Sequence, residues 1–150
     1  MMKKNLFFIV SILLIGLFQK GNSQNKADAI LGTWLTGTGK GKVKIEKIGE
    51  KYHGKIVWLR DPKNPDGTPK VDKNNPDPAL QKRPLMGLRV LRDFVYVGDN
   101  KWEEGKIYDP ENGKDYSCIL TLIDENTLNV RGYIGFSLIG RTQVWKRQAQ

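Results

Sequence analysis

The chain has 150 residues with 25 Lys and Arg against 16 Asp and Glu, a net charge of +9, one His and one Cys. That length fits one domain with a single core. One cysteine excludes an internal disulfide, and one His with one Cys excludes an ordinary zinc site. The basic balance is compatible with anionic ligands or surfaces, but no run of five or six cations and no recognition motif points to nucleic acid.

The chain opens as an export signal. Lys3 and Lys4 precede a 13-residue, mostly apolar run from Leu6 to Phe18, and Gly21, Asn22 and Ser23 supply small residues before Gln24. A run of that length is short of the roughly 20 residues of a spanning helix. The expectation is a cleaved signal peptide over 1–23, with 24–150 forming one β-barrel domain without a stable membrane anchor. Removing Lys3, Lys4 and Lys20 takes the net charge from +9 to +6. No cysteine near the cleavage region is available for lipid attachment, so the predicted product is periplasmic or secreted.

Period-two alternation dominates the remainder. Strands are predicted over 29–36, 41–48, 51–59, 87–98, 101–109, 114–123, 127–136 and 139–147. Gly49-Glu50, Asp99-Asn100, Pro110 to Gly113 and Asp124 to Asn126 read as turns. One connection is long. Within it "KVDKNNPDPALQKRPLMG" (70–87) carries the lone helical signal, with Asp77 as cap, Pro78 at the first helical position and Pro84 as terminator. Asp72 and Asn75 read as turn formers, and Leu80, Leu85 and Met86 are predicted to sit over one barrel mouth as an ordered lid. Eight antiparallel strands joined by short turns define an all-β, up-and-down, lipocalin-like (calycin-type) barrel; a sandwich is the alternative.

Gly32-Thr33-Trp34 near the start and the face Arg141, Gln143, Trp145, Arg147 near the end suggest closure by an arginine stacked on Trp34. This pattern resembles the lipocalin and fatty-acid-binding superfamily. A larger set of residues is similar to the exported bacterial family catalogued as domain of unknown function 2147: Asp72, Asn75-Pro76, Arg83, Gly87, Trp102, Ile107 to Pro110, Gly113, Tyr116, Arg131-Gly132, Gly135, Gly140-Arg141 and Trp145. The resemblance spans essentially all of 24–150. It implies a lipocalin-like small barrel and no established activity. Lys101 to Gly105 departs from the pattern, which more often has a glycine after the tryptophan.

Calcium loops starting at Asp61 or Asp72 fail because position five is proline in both frames. No metal and no cofactor is expected. Cys118, in an alternating apolar run, reads as a buried structural thiol. His53 reads as outward-facing. A hydrolase using carboxylates would draw on Asp109 and Glu111, but Asp109 is more simply a turn former, and no catalytic residue is assigned. The predicted function is therefore non-catalytic binding of a small amphipathic or anionic molecule. Its site candidates are Trp58, Tyr96, Trp102, Tyr108, Tyr116, Arg131, Arg141 and Gln143. A barrel of this size can equally be filled by side chains. In that case the basic exterior, with Lys70, Lys73, Lys82 and Arg83, would bind an envelope protein, glycan or lipopolysaccharide.

Overall fold

The computed structural model describes residues 25–136 and 138–149; the predicted signal segment lies outside the described residues. Eight strands run in order: β1 (Gly32–Leu35), β2 (Gly41–Ile48), β3 (Lys51–Leu59), β4 (Arg89–Gly98), β5 (Lys101–Asp109), β6 (Lys114–Asp124), β7 (Thr127–Tyr133) and β8 (Gly140–Arg147). Each pairs antiparallel with the next, and β8 returns to β1, so the sheet is a closed barrel. Alternation explains the two faces. In β2, Val43 and Ile45 are buried while Lys44 between them is exposed. Closure leaves no edge strand with unpaired backbone groups.

Register shifts interrupt the alternation at several places from β3 to β6. Lys42 pairs with Trp58 but Val43 pairs with Ile56, which leaves Val57 as an extra residue in β3. Asp93 (φ 62°) and Glu104 (φ 66°) mark two more, in β4 and β5. At Glu104 a non-glycine residue carries a left-handed backbone, within the stretch Lys101 to Gly105. Next to it, Gly105 faces inward. A Cβ there would stand 2.5 Å from the Phe94 ring, so glycine makes room for the aromatic. Asp99 and Asn100 both have positive φ, as the two-residue turn joining β4 to β5 requires.

One end of the barrel is sealed. The stretch predicted to begin the first strand instead forms a 3-10 turn, Asp28–Ile30, which lies across that end. Ile30, Trp34 and Trp102 are completely buried. The indole of Trp34 donates to the Ile30 carbonyl at 2.9 Å, and that of Trp102 donates to the Ala27 carbonyl at 3.1 Å. Tyr52 donates to Asp28 at 2.5 Å, while burial first and this bond second raise its phenol pKa above the ordinary value. The arginine over Trp34 is Arg147, 4.2 Å from the ring. Its guanidinium also donates to the carbonyls of Leu31, Ala29 and Glu125 at 2.6, 2.7 and 2.5 Å.

Lysine at position 147 would keep the charge but lose the planar fork. Arg147→Lys is expected to cost about 1–3 kcal/mol, on the scale of one or two lost charged hydrogen bonds. Chemical denaturation with an unchanged m-value would measure it.

Candidate ligand-binding site

Up-and-down topology places alternate loops together. The β1–β2 turn, the long β3–β4 loop, the β5–β6 turn and the β7–β8 connection gather opposite the sealed end, around a cavity of about 1170 Å³. Val43, Ile56 and Leu59 form one wall; Ile107, Tyr116 and Gly132 form another. Ile107 and Tyr116 are cross-strand partners. On β8, Arg141 lies nearest the mouth, Gln143 further in and Trp145 deepest, because the strand runs from the open end to the sealed one. The Trp145 indole donates to the Gln143 side-chain oxygen at 3.0 Å. Arg141 has no ion pair or side-chain hydrogen bond among the described residues.

The long loop is built in as part of the mouth. Asp72, with none of its surface exposed, accepts from the Tyr108 hydroxyl at 2.6 Å, the Asn75 amide at 2.9 Å and the Arg83 guanidinium at 2.8 and 2.9 Å. Burial first, then the bond to Asp72, raises the pKa of the Tyr108 phenol. Asn74 donates to the Pro110 and Glu111 carbonyls on the β5–β6 turn at 3.1 and 2.9 Å. Gly113 completes that contact, since a Cβ there would lie 1.9 Å from the Asn74 carbonyl oxygen. Asp72 is thus the hub of a buried network and Asn75 its companion, more than the turn formers they read as. The helical signal is realised as one 3-10 turn, Pro78–Leu80, capped by Asp77 through the Ala79 amide. Of the lid residues, Leu85 lines the cavity, whereas Leu80 and Met86 are exposed and do not. Across the mouth, Lys40 of the β1–β2 turn pairs with Glu111 of the β5–β6 turn at 2.9 Å.

Tyr108, Tyr116, Arg141 and Gln143 line the cavity as a group. The other four candidates lie elsewhere. Trp58 is on the outer surface, beneath the Lys42 ammonium at 5.1 Å, because the Val57 bulge turns it out and Leu59 in. Trp102 belongs to the sealed end, and Tyr96 packs on it with ring centroids 5.0 Å apart. Arg131 pairs with Thr142 on the outer face, between the inward pairs Val130–Gln143 and Gly132–Arg141, and donates to the Thr142 hydroxyl at 3.0 Å. Leu59 was hidden by the bulge. Gly132 could have been suspected, since glycine within a strand often marks a place where something approaches closely.

The groups considered for chemistry are engaged elsewhere. Asp109 accepts from the Glu111 amide at 2.9 Å, as a turn former does. Burial pushes the Cys118 thiol up to about 12, which removes its nucleophilic form at neutral pH. His53 accepts from the Asp93 amide at 3.2 Å on the outer wall. Arg83 is held by Asp72, whereas Lys63, Lys70, Lys73 and Lys82 of the same loop are without an ion pair among the described residues.

A closed eight-stranded antiparallel barrel with one sealed end and a lined cavity at the other defines the lipocalin-like class. The family model described as "Uncharacterized protein conserved in bacteria (DUF2147)" matches residues 32–147, and the chain belongs to that family. Among solved structures, protein HP1028 of Helicobacter pylori, described as belonging to the lipocalin family, is similar with a TM-score of 0.69 and 24% identity, over 80% of this chain and 83% of that one. No curated protein matches.

Truncating Asp72 would leave the buried Tyr108 hydroxyl without its acceptor, while Arg83, 36% exposed, could turn to water. Asp72→Ala is expected to cost roughly 1–3 kcal/mol, with hydrogen exchange quickening first in residues 70–87. His53 provides a pH test. Burial, then the Arg89 charge, lowers its pKa below the ordinary 6.5. The folded state therefore favours neutral imidazole, and the unfolded chain binds the proton more readily. Stability should decline as pH falls from about 6.5 towards the folded pKa and level off below it. An NMR titration of His53 would give a midpoint under 6.5.

Proposed function

We propose that the protein is an exported, non-catalytic binder of a small amphipathic or anionic molecule, which it takes into the open end of the barrel. The observation that carries this reading is the cavity of about 1170 Å³ with aliphatic walls and an arginine, Arg141, that has no protein partner among the described residues. Ligand sites combine mostly apolar walls with a few placed polar groups. Here Val43, Ile56, Leu59 and Ile107 supply the apolar surface, while Arg141 and Gln143 supply the polar end of β8. An acyl or aromatic body would lie on the aliphatic walls and an anionic head would meet Arg141. The neighbouring lipocalin-family barrel adds support from the fold. Lys40 and Glu111, both well exposed, span the mouth with an ion pair that such exposure keeps weak, so it does not bar entry.

Native mass spectrometry of protein purified from its own host tests the proposal, together with thermal shifts across a panel of fatty acids and lysophospholipids. A co-purifying small molecule or a saturable thermal shift is expected. Gly132→Leu is the control. A Cβ at this position meets only ordinary contacts with Ile107 and Tyr116, at 3.5 and 3.7 Å, so the larger side chain would occupy the cavity. That variant should stay folded and lose at least about tenfold in affinity, an energy of about 1.4 kcal/mol. A ligand-free spectrum with no shift across the panel, or equal binding by Gly132→Leu, would contradict the proposal.

A further inference from the structure

The β7–β8 connection carries the largest apolar exposure of the described residues. Ile134 is 66% exposed, Phe136 77%, Leu138 90% and Ile139 69%. Single exposed apolar side chains are ordinary, but four on one short connection mark an interaction surface. They stand beside the mouth: Ile134 and Ile139 line the cavity rim, as do Lys70, Lys73 and Arg141. Close backbone packing fixes the base of the projection, since Gly140 lies so near Gly132 that a Cβ would be 2.3 Å from the Gly132 carbonyl oxygen.

We infer that this projection inserts into the surface of an anionic lipid bilayer, setting the mouth of the barrel against the membrane. Charge decides between the possible occupants. Among the acids at the mouth, Glu111 pairs with Lys40, Asp61 lies 3.6 Å from Arg60, and Asp109 caps its own turn. Lys70, Lys73 and Arg141 have no ion pair among the described residues. A second copy docked tip to tip would bring these cations face to face, whereas phosphate headgroups complement them. Apolar insertion combined with attraction to anionic headgroups is the physics of a peripheral membrane contact. The inference stands whether or not the cavity binds a ligand.

Sedimentation with vesicles tests it, using phosphatidylcholine alone and phosphatidylcholine with about 30% phosphatidylglycerol, at about 0.05 M and about 0.5 M salt. The protein is expected to bind the anionic vesicles, more weakly those of phosphatidylcholine, and less in high salt. A Phe136→Ser, Leu138→Ser double variant should bind at least about tenfold more weakly, with an unchanged melting temperature because both side chains are exposed. Gly132→Leu should bind vesicles like the unaltered protein, which separates docking from lipid uptake. Absence of vesicle binding, equal binding by the double variant, or equal binding to both vesicle types would overturn the inference. So would loss of binding in Gly132→Leu, or a dimer in solution that the double variant dissolves.

Discussion

The fold depends on Arg147 over Trp34. A barrel must join its last strand to its first, and here the first strand is four residues long. The β1–β8 seam has two residue pairs, Trp34–Arg147 and Leu35–Lys146, with Gln148 adding a backbone bond to Thr33 at 2.8 Å. So short a ladder is a weak fastening by itself. Arg147 strengthens it by stacking on the indole and donating to three carbonyls, two of them in the segment that crosses the barrel end. Where the chain turns across the end, the carbonyls of Ala29 and Leu31 accept from Arg147 and that of Ile30 from the Trp34 indole. The same contact closes the sheet and seals one end.

Sealing one end sets the other free. Trp34, Tyr52, Phe94 and Trp102 fill the sealed half, and the glycines at 54 and 105 admit their neighbours' side chains. The open half is walled by aliphatic residues together with Tyr108, Tyr116 and Trp145, and keeps its cavity. Its rim is held by polar contacts: the Asp72 network, Asn74 on the β5–β6 turn, and the Lys40–Glu111 pair across the mouth. Several of the residues that carry the family resemblance lie at this open end. Asp72, Asn75, Arg83, Tyr108 and Gly113 anchor the loop, whereas Tyr116, Gly132, Arg141 and Trp145 face the cavity.

Strand positions were legible in the sequence because a half-buried strand must alternate and its turns need residues such as Asp99-Asn100 or Asn112-Gly113. The interior was less legible for two physical reasons. Each bulge shifts the alternation by one residue, so Trp58 and Leu59 exchange faces, and no local signal in "KIVWL" announces it. The second reason is size. Large aromatic residues were expected to line a pocket, but they bury the most area where packing is tightest, so Trp102 and Tyr96 went to the sealed half. The Asp72 network was invisible because it joins residues 36 positions apart in the chain, and a buried carboxylate looks like any loop aspartate until its partners are placed. Arg131 and Arg141 are indistinguishable by composition; only the β7–β8 register turns one outward and the other to the cavity.

The central claim is that ligand enters the open half and leaves the sealed half undisturbed. Four tryptophans report on it separately: Trp145 lines the cavity, Trp34 and Trp102 belong to the sealed end, and Trp58 is outside. NMR of the indole N–H groups during titration with a lauroyl lysophospholipid should move Trp145 strongly and leave Trp34 and Trp102 in place. Shifts centred on Trp34 and Trp102, or a saturable interaction that leaves Trp145 unmoved, would contradict the account.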